Sequence, residues 1–235
     1  MGDGPTTPAS DGLPVPPNSG EFVRFFTERL DAHGATPGGV DWNSDTAQHI
    51  RFSQLLRVCD GTRPFSIIDY GCGYGALARY LADRGDSFTY QGFDLTPAMV
   101  EEARAFLADV PNVSVTTDPA ELRPADYTIA SGLFSMKFDT PVDEWERYVL
   151  RTIGHLATLS TRGFAFNMLT SYSDPPLMRP DLYYGDPCFY FDLCKRSYSR
   201  NVALFHDYDL YDFTVIVRLT VGTPAAATAG GGASS

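Results

Sequence analysis

Apolar positions along the chain follow two different periods. In EFVRFFTERLDAHG, Phe22, Phe25, Phe26 and Leu30 share one helical face, and Gly34 ends the run. The loop ATPGGVDWNS follows, and its Ser44 is placed to cap a second helix that runs to about Cys59. From Phe65 onward, FSIIDY, SFTYQGFD, NVSVTT, ADYTIAS, RGFAFNML, NVALFHDY and DFTVIVRL have strand character, with helix-like segments between the first five. Gly85 closes the first of these helices, and Thr96 with Pro97 opens the second. Thr140 and Pro141 open another, in which Trp145, Val149, Ile153 and Leu156 recur at helical spacing. Strands alternating with helices predict an α/β fold: a doubly wound, seven-stranded, mostly parallel sheet covered on both faces. Only the few residues around Asp209 and Leu210 separate the last two strands, which predicts an antiparallel hairpin at one edge.

Both ends of the chain break this pattern. Residues 1–19 and 223–235 are rich in Pro, Gly, Ser or Ala and are expected to be disordered, leaving one domain over 20–222. Within it, 20–60 form N-terminal helices, and 171–200 form a Tyr- and Phe-rich insertion between the fifth and sixth strands. With 43% hydrophobic and 13% aromatic residues, the chain can bury a core. It carries 18 basic against 29 acidic residues, a net charge of -11, and no basic block. A polynucleotide partner, which needs clustered cations, is therefore not expected; a small acceptor is. No apolar run approaches the length of about 20 residues that a membrane span needs, so no membrane partner is expected. Cys59, Cys72, Cys188 and Cys194 form no C-x-x-C pair, and no His lies at zinc-finger spacing. No metal site is expected, and the cysteine pattern fits a reducing cytoplasm. The oligomeric state stays open, a homodimer being one option.

The candidate chemistry lies in FSIIDYGCGYGALARYL, a strand, a glycine loop and a helix start. Nucleoside triphosphates, dinucleotides and S-adenosylmethionine all use such a turn. A phosphate loop would need G-x-x-x-x-G-K-[ST], and no such sequence is present. A dinucleotide loop, G-x-G-x-x-G, would place its third glycine at Ala76, a tolerated exchange. Asp69, two residues before Gly71, separates the options better. A carboxylate there opposes a pyrophosphate but favours a ligand with ammonium and sulfonium charge. Asp94 ends the second strand about 20 residues past the loop, where a carboxylate can accept both ribose hydroxyls. Asp118 follows the third strand; it is placed either to accept from an adenine amino group or to cap a short helix.

Taken together, D-x-G-x-G-x-G, FDLTPAMVEEAR, TTDPAEL and ADYTIASGLF resemble the class I S-adenosylmethionine-dependent methyltransferase superfamily, over residues 44–219. The resemblance implies a Rossmann-like methyltransferase fold, S-adenosyl-L-methionine as cofactor and methyl transfer as activity. It implies that Gly71, Cys72, Gly73 and Gly75 form the loop under the methionine part of the cofactor, and that Asp69 fixes the loop and the ammonium. Asp94 is implied to bind the ribose, Leu95 and Met99 to pack on the adenine, and Ser131 to line the reacting end. The helix before the first strand often closes over the cofactor in this superfamily, which makes Trp42 and Arg51 further candidates, Arg51 as a partner for the cofactor's carboxylate.

The acceptor is less well specified. After the fourth strand the chain reads SGLF where enzymes acting on exocyclic or amide nitrogens often carry [ND]-P-P-[YF], so transfer to oxygen is expected ahead of nitrogen. The aromatic insertion is expected to wall a sugar or natural-product acceptor. Asn167, Tyr184 and His206 are the polar candidates at the acceptor end, His206 as a general base. Competing readings are a non-catalytic cofactor-binding or regulatory module, a protein methyltransferase and, further off, a nicotinamide oxidoreductase.

Overall fold

Residues 12–42, 44–61 and 64–220 are described in a computed structural model of the protein. Its sheet consists of β1 (Phe65–Tyr70), β2 (Phe88–Phe93), β3 (Val113–Thr116), β4 (Ala125–Ala130), β5 (Ser160–Leu169), β6 (Asn201–Phe205) and β7 (Asp212–Arg218). The order is β3-β2-β1-β4-β5-β7-β6. β1 to β5 pair in parallel, whereas β7 runs antiparallel to both β5 and β6. The strand order reverses between β1 and β4, which opens a crevice at the carboxyl ends of these strands.

Period-two alternation divides the core. Ile67, Tyr90, Ile129 and Ile216 face one side, where Phe52 and Leu55 of α2 (Asp45–Leu55) and Leu77 and Leu81 of α3 (Ala76–Asp83) cover them. Ile68, Phe164, Phe166, Val215 and Val217 face the other side. There they meet Phe22 of α1 (Ser19–His33), Trp145, Val149 and Ile153 of α5 (Val142–Thr158), and Tyr190 of α6 (Pro187–Ser197). α4 (Pro97–Phe106) bridges β2 and β3.

Several expectations need correction. Between β3 and β4 there is no α-helix but a single 3₁₀ turn, Pro119–Glu121, capped by Asp118; the link is too short for a packed crossover helix. Thr96 and Pro97 start α4 as expected, though without a side-chain cap bond, and Pro141 rather than Thr140 is the N-cap of α5. Residues 12–18, expected within a disordered tail, lead into α1 with Pro14 buried, although Leu13 and Val15 beside it stay exposed. The insertion over 171–200 contains α6, whose Tyr190, Leu193 and Cys194 pack onto the sheet. Residues 1–11 and the tail from 223 lie outside the described residues.

Ser44 fulfils its expected role: its hydroxyl accepts from the Ala47 N–H at 3.2 Å and starts α2. Replacing Ser44 by Ala is expected to cost about 1 kcal/mol of folding free energy, read as a lower urea midpoint. An unchanged midpoint would show that the cap contributes nothing to α2.

Candidate functional site

The loop after β1 is tied down by the end of β2. The N–H groups of Gly71 and Cys72 both donate to the Phe93 carbonyl, at 2.7 and 2.9 Å. The N–H of Gly73 donates to Asp94 Oδ2 at 2.8 Å, and the N–H of Thr96 donates to Asp94 Oδ1 at 2.9 Å. One carboxylate thus fixes both the glycine loop and the entry to α4. Each of its oxygens keeps a lone pair for another donor. Gly73 has φ +53°, and a Cβ on it would lie 2.8 Å from Val40 Cγ1, so the loop accepts no side chain there.

Above this loop the crevice holds a cavity of about 1210 Å³, including its open mouth. It reaches from the loop past Asp94, Leu95, Met99 and Pro119 on one side to Ser131, Gly132 and Leu133 on the other. Trp42, Asp69, Gly71, Cys72 and Gly73 also line it. Among the described lining residues there are two carboxylates, Asp69 and Asp94, and no Lys, Arg or His. Ser131 Oγ and the Tyr70 hydroxyl are buried without a protein partner among the described residues. Such atoms need a polar partner from a ligand or water.

The carboxyl of Asp69 is enclosed and accepts from the Tyr90 hydroxyl at 2.8 Å. Burial is the main cause that raises its pKa to about 7; Tyr90 opposes the rise and the nearby Asp94 charge adds to it. Asp94, half-buried, is also raised by burial, with the Thr96 and Gly73 N–H groups pulling the other way. Burial lifts the Cys72 thiol well above its ordinary value, so Cys72 is a neutral wall rather than a nucleophile.

Five expected site residues are placed elsewhere. Arg51 is buried and turned from the cavity: its Nε and Nη2 donate to Asp212 Oδ2 at 3.1 and 2.5 Å, and its Nη1 donates to the Ala47 carbonyl. Nor does Asn167 reach an acceptor. It is fully buried, its Oδ1 accepting from the Gly132 N–H at 2.8 Å and its Nδ2 donating to Asp212 Oδ1 at 3.1 Å. Asp118 is exposed and caps the 3₁₀ turn through Oδ1, which accepts from the Ala120 N–H; it does not itself line the cavity, although Pro119 beside it does. Tyr184 accepts from the Arg179 N–H, and His206 is exposed beside Tyr172; neither lines the cavity. No residue of the 171–200 insertion lines it either, because Tyr183 and Tyr190 bond to each other in the core at 2.8 Å.

The outer wall comes from the N-terminal part of the chain. Val15, Phe22, Phe26 and Val40 line the cavity together with Leu133 and Met136. Sequence reasoning assigned Phe22 and Phe26 only to a buried helix face and placed residues 14–16 in a disordered tail. The apolar Leu-Pro-Val-Pro run within that polar tail was the available signal. Asp212, which organises Arg51 and Asn167, was missed altogether.

Residues 67–156 match the family model described as a methyltransferase domain. A Mycobacterium tuberculosis protein, methyltransferase Rv1506c by its provisional name, is 48% identical over 163 residues, which cover 69% of this chain and 98% of that protein. The malonyl-[acyl-carrier protein] O-methyltransferase of Geobacter sulfurreducens is 31% identical over 111 residues, 46% of this chain and 40% of its own length. Among solved structures, the magnesium protoporphyrin IX methyltransferase of Synechocystis PCC 6803 with bound SAM superposes with a TM-score of 0.61 at 18% identity, covering 90% of this chain and 100% of that one. This last likeness speaks for the fold.

A cation docking near Asp69 should pull its pKa down, so binding must release protons below neutrality. Between pH 7 and pH 5.5 the affinity for a cationic ligand is expected to fall about tenfold, and Asp69→Asn should flatten the profile. Calorimetric titrations across this range supply the measurement; an equal slope in the variant would remove Asp69 from the linkage. The sign for folding follows from the raised pKa. Asp69 contributes stability below its unfolded value near 4, and that contribution is lost as pH rises through about 7.

Proposed function

The chain belongs to the class I S-adenosylmethionine-dependent methyltransferases, and from that premise we propose that it methylates an oxygen of a small, flat, mainly apolar natural product. The observation that carries the cofactor half is the acid-only lining: Asp69 and Asp94 face the cavity with no basic side chain among the described lining residues. That field suits a ligand bearing ammonium and sulfonium charge and opposes a pyrophosphate. The unpartnered Ser131 Oγ fits a polar ligand at this end of the cavity. Asp94 would hold the ribose, Asp69 the ammonium, and Leu95 and Met99 would flank the base.

When bound, S-adenosylmethionine supplies a methyl group already activated by its sulfonium. The residues of this chain then have to align the acceptor and exclude water. Val15, Phe22, Phe26, Leu133 and Met136 offer an apolar enclosure that matches an aromatic or polyketide-like skeleton. A free sugar, whose hydroxyls each need a partner, matches it less well. Burial raises the hydroxyl pKa values of Tyr70, Tyr74 and Tyr148, the tyrosines that line the cavity, so all three stay neutral near pH 7. The geometry therefore favours an acceptor oxygen that is itself acidic, a phenol, enol or carboxylic acid, over an unactivated alcohol.

The net charge of -11 supports a small acceptor over a polynucleotide. Among the described residues no helix is long and apolar enough to cross a membrane. Four free cysteines agree with a reducing, cytoplasmic setting.

Calorimetry with S-adenosylmethionine is expected to give micromolar affinity, weakened more than tenfold, or ~1.4 kcal/mol, by Asp94→Ala. Equal affinity in that variant would take Asp94 out of the site. Label from the cofactor's methyl group should then pass to phenolic or carboxylic aromatic acceptors and not to free sugars. Labelled sugar alone would refute the acceptor assignment.

A further inference from the structure

Asp212 lies at the first residue of β7, outside the cavity, and its side chain is almost wholly buried. Its two oxygens point in different directions. Oδ2 receives the Arg51 guanidinium through Nε and Nη2, and Oδ1 receives the Asn167 amide at 3.1 Å. Each partner continues to the cavity wall. The Arg51 guanidinium carbon lies 3.9 Å from the centroid of the Trp42 ring. Asn167 Oδ1 accepts from the Gly132 N–H. Trp42 and Gly132 in turn touch each other: a Cβ on Gly132, whose φ is +69°, would lie only 2.2 Å from Trp42 Cζ2. The contacts close into a ring, Trp42–Arg51–Asp212–Asn167–Gly132–Trp42. Both wall members of that ring line the cavity, Trp42 from the segment ahead of α2 and Gly132 from the loop after β4.

A buried ion pair is a poor stabiliser, because losing two hydration shells offsets most of the attraction; what it supplies is orientation. Here one carboxylate sets the plane of a guanidinium under an indole and the rotamer of an amide under a glycine N–H. These two wall pieces come from separate stretches of chain, one ahead of α2 and one after β4, and Asp212 links them through Arg51 and Asn167. We propose that Asp212 is a positioning residue for methyl transfer, fixing Trp42 against Gly132 and Ser131 so that the reacting end of the cavity keeps its shape. It acts only through Arg51 and Asn167. The inference rests on the reading of this cavity as the cofactor site.

Donor and acceptor logic provides the test. Asp212→Asn keeps the volume but places an N–H₂ against one of two donors, Arg51 or the Asn167 amide. Adding Asn167→Asp reverses that polarity. The new amide then donates to the new carboxylate, its oxygen accepts from Arg51, and the carboxylate still accepts from the Gly132 N–H, with net charge unchanged. Protein labelled with 5-fluorotryptophan gives one fluorine signal for Trp42 and one for Trp145, assigned by Trp42→Phe. Affinity for S-adenosylhomocysteine is measured on the same samples by calorimetry.

In Asp212→Asn the Trp42 signal should move while Trp145 stays, and affinity should fall about tenfold. The double variant should restore the Trp42 signal and bring affinity to within about threefold of wild type. If Asp212→Asn does not fold, Arg51→Lys serves instead: it keeps the charge but loses the flat guanidinium, and should move the Trp42 signal and weaken binding. An unmoved Trp42 signal or an undiminished affinity in whichever of these variants is measured overturns the proposal, as does failure of the double variant to restore both. Should the wild type itself bind no S-adenosylhomocysteine, the reading of the cavity falls and the positioning role falls with it. Wild-type binding matched by the variant sinks the positioning role alone.

Discussion

The Asp94 carboxylate is the constraint from which the site is built. By accepting the Gly73 and Thr96 N–H groups it holds a glycine loop, a helix start and the end of β2 in one arrangement. It adds to the two bonds from the Gly71 and Cys72 N–H groups to the Phe93 carbonyl, which a loop of flexible glycines needs to hold one shape. Because the pin is itself an acid and lines the cavity, the act of shaping the loop also places a carboxyl group there. Asp69, enclosed one strand away, adds a second at the cost of a raised pKa. Shape and charge selection are therefore one interaction, and a cationic cofactor follows from the same bonds that order the loop.

The remainder of the cavity separates two tasks. The parallel strands and their loops provide the polar, cofactor-facing half, as expected where strand order reverses. The N-terminal segment and α1 provide an apolar cover together with Leu133 and Met136. The insertion between β5 and β6 instead completes the core through Tyr183, Tyr190 and Leu193 and leaves the cavity alone. The apolar cover therefore comes from residues early in the chain, and the aromatic insertion serves packing.

Much of this was legible in the sequence because it is periodic or local. Alternation in FSIIDY and DFTVIVRL and helical spacing from Trp145 to Leu156 state which face is buried, and the sheet and both covering layers follow. Asp69, Asp94 and the glycines were legible because a strand, a turn and a helix start fix their relative positions within a few residues. Arg51 and Asn167 were recognised as unusual but given the wrong destination: their partner, Asp212, lies 161 and 45 residues away in sequence, and nothing local announces it. Asp118 was ambiguous for the opposite reason, since one position serves both a helix cap and a ligand role; the structure shows the cap. His206 looked suitable by chemistry alone; its position on the hairpin edge keeps it from the cavity.

Two acids without a basic counterpart among the described lining residues should favour a cationic nucleoside over pyrophosphate-bearing ones. Parallel calorimetric titrations of the protein with S-adenosylmethionine and with NADH, in one buffer at neutral pH and low salt, test it most directly. Saturable binding of the first with no measurable heat from the second is the predicted result. Comparable affinity for NADH, competitive with S-adenosylmethionine, would contradict the account.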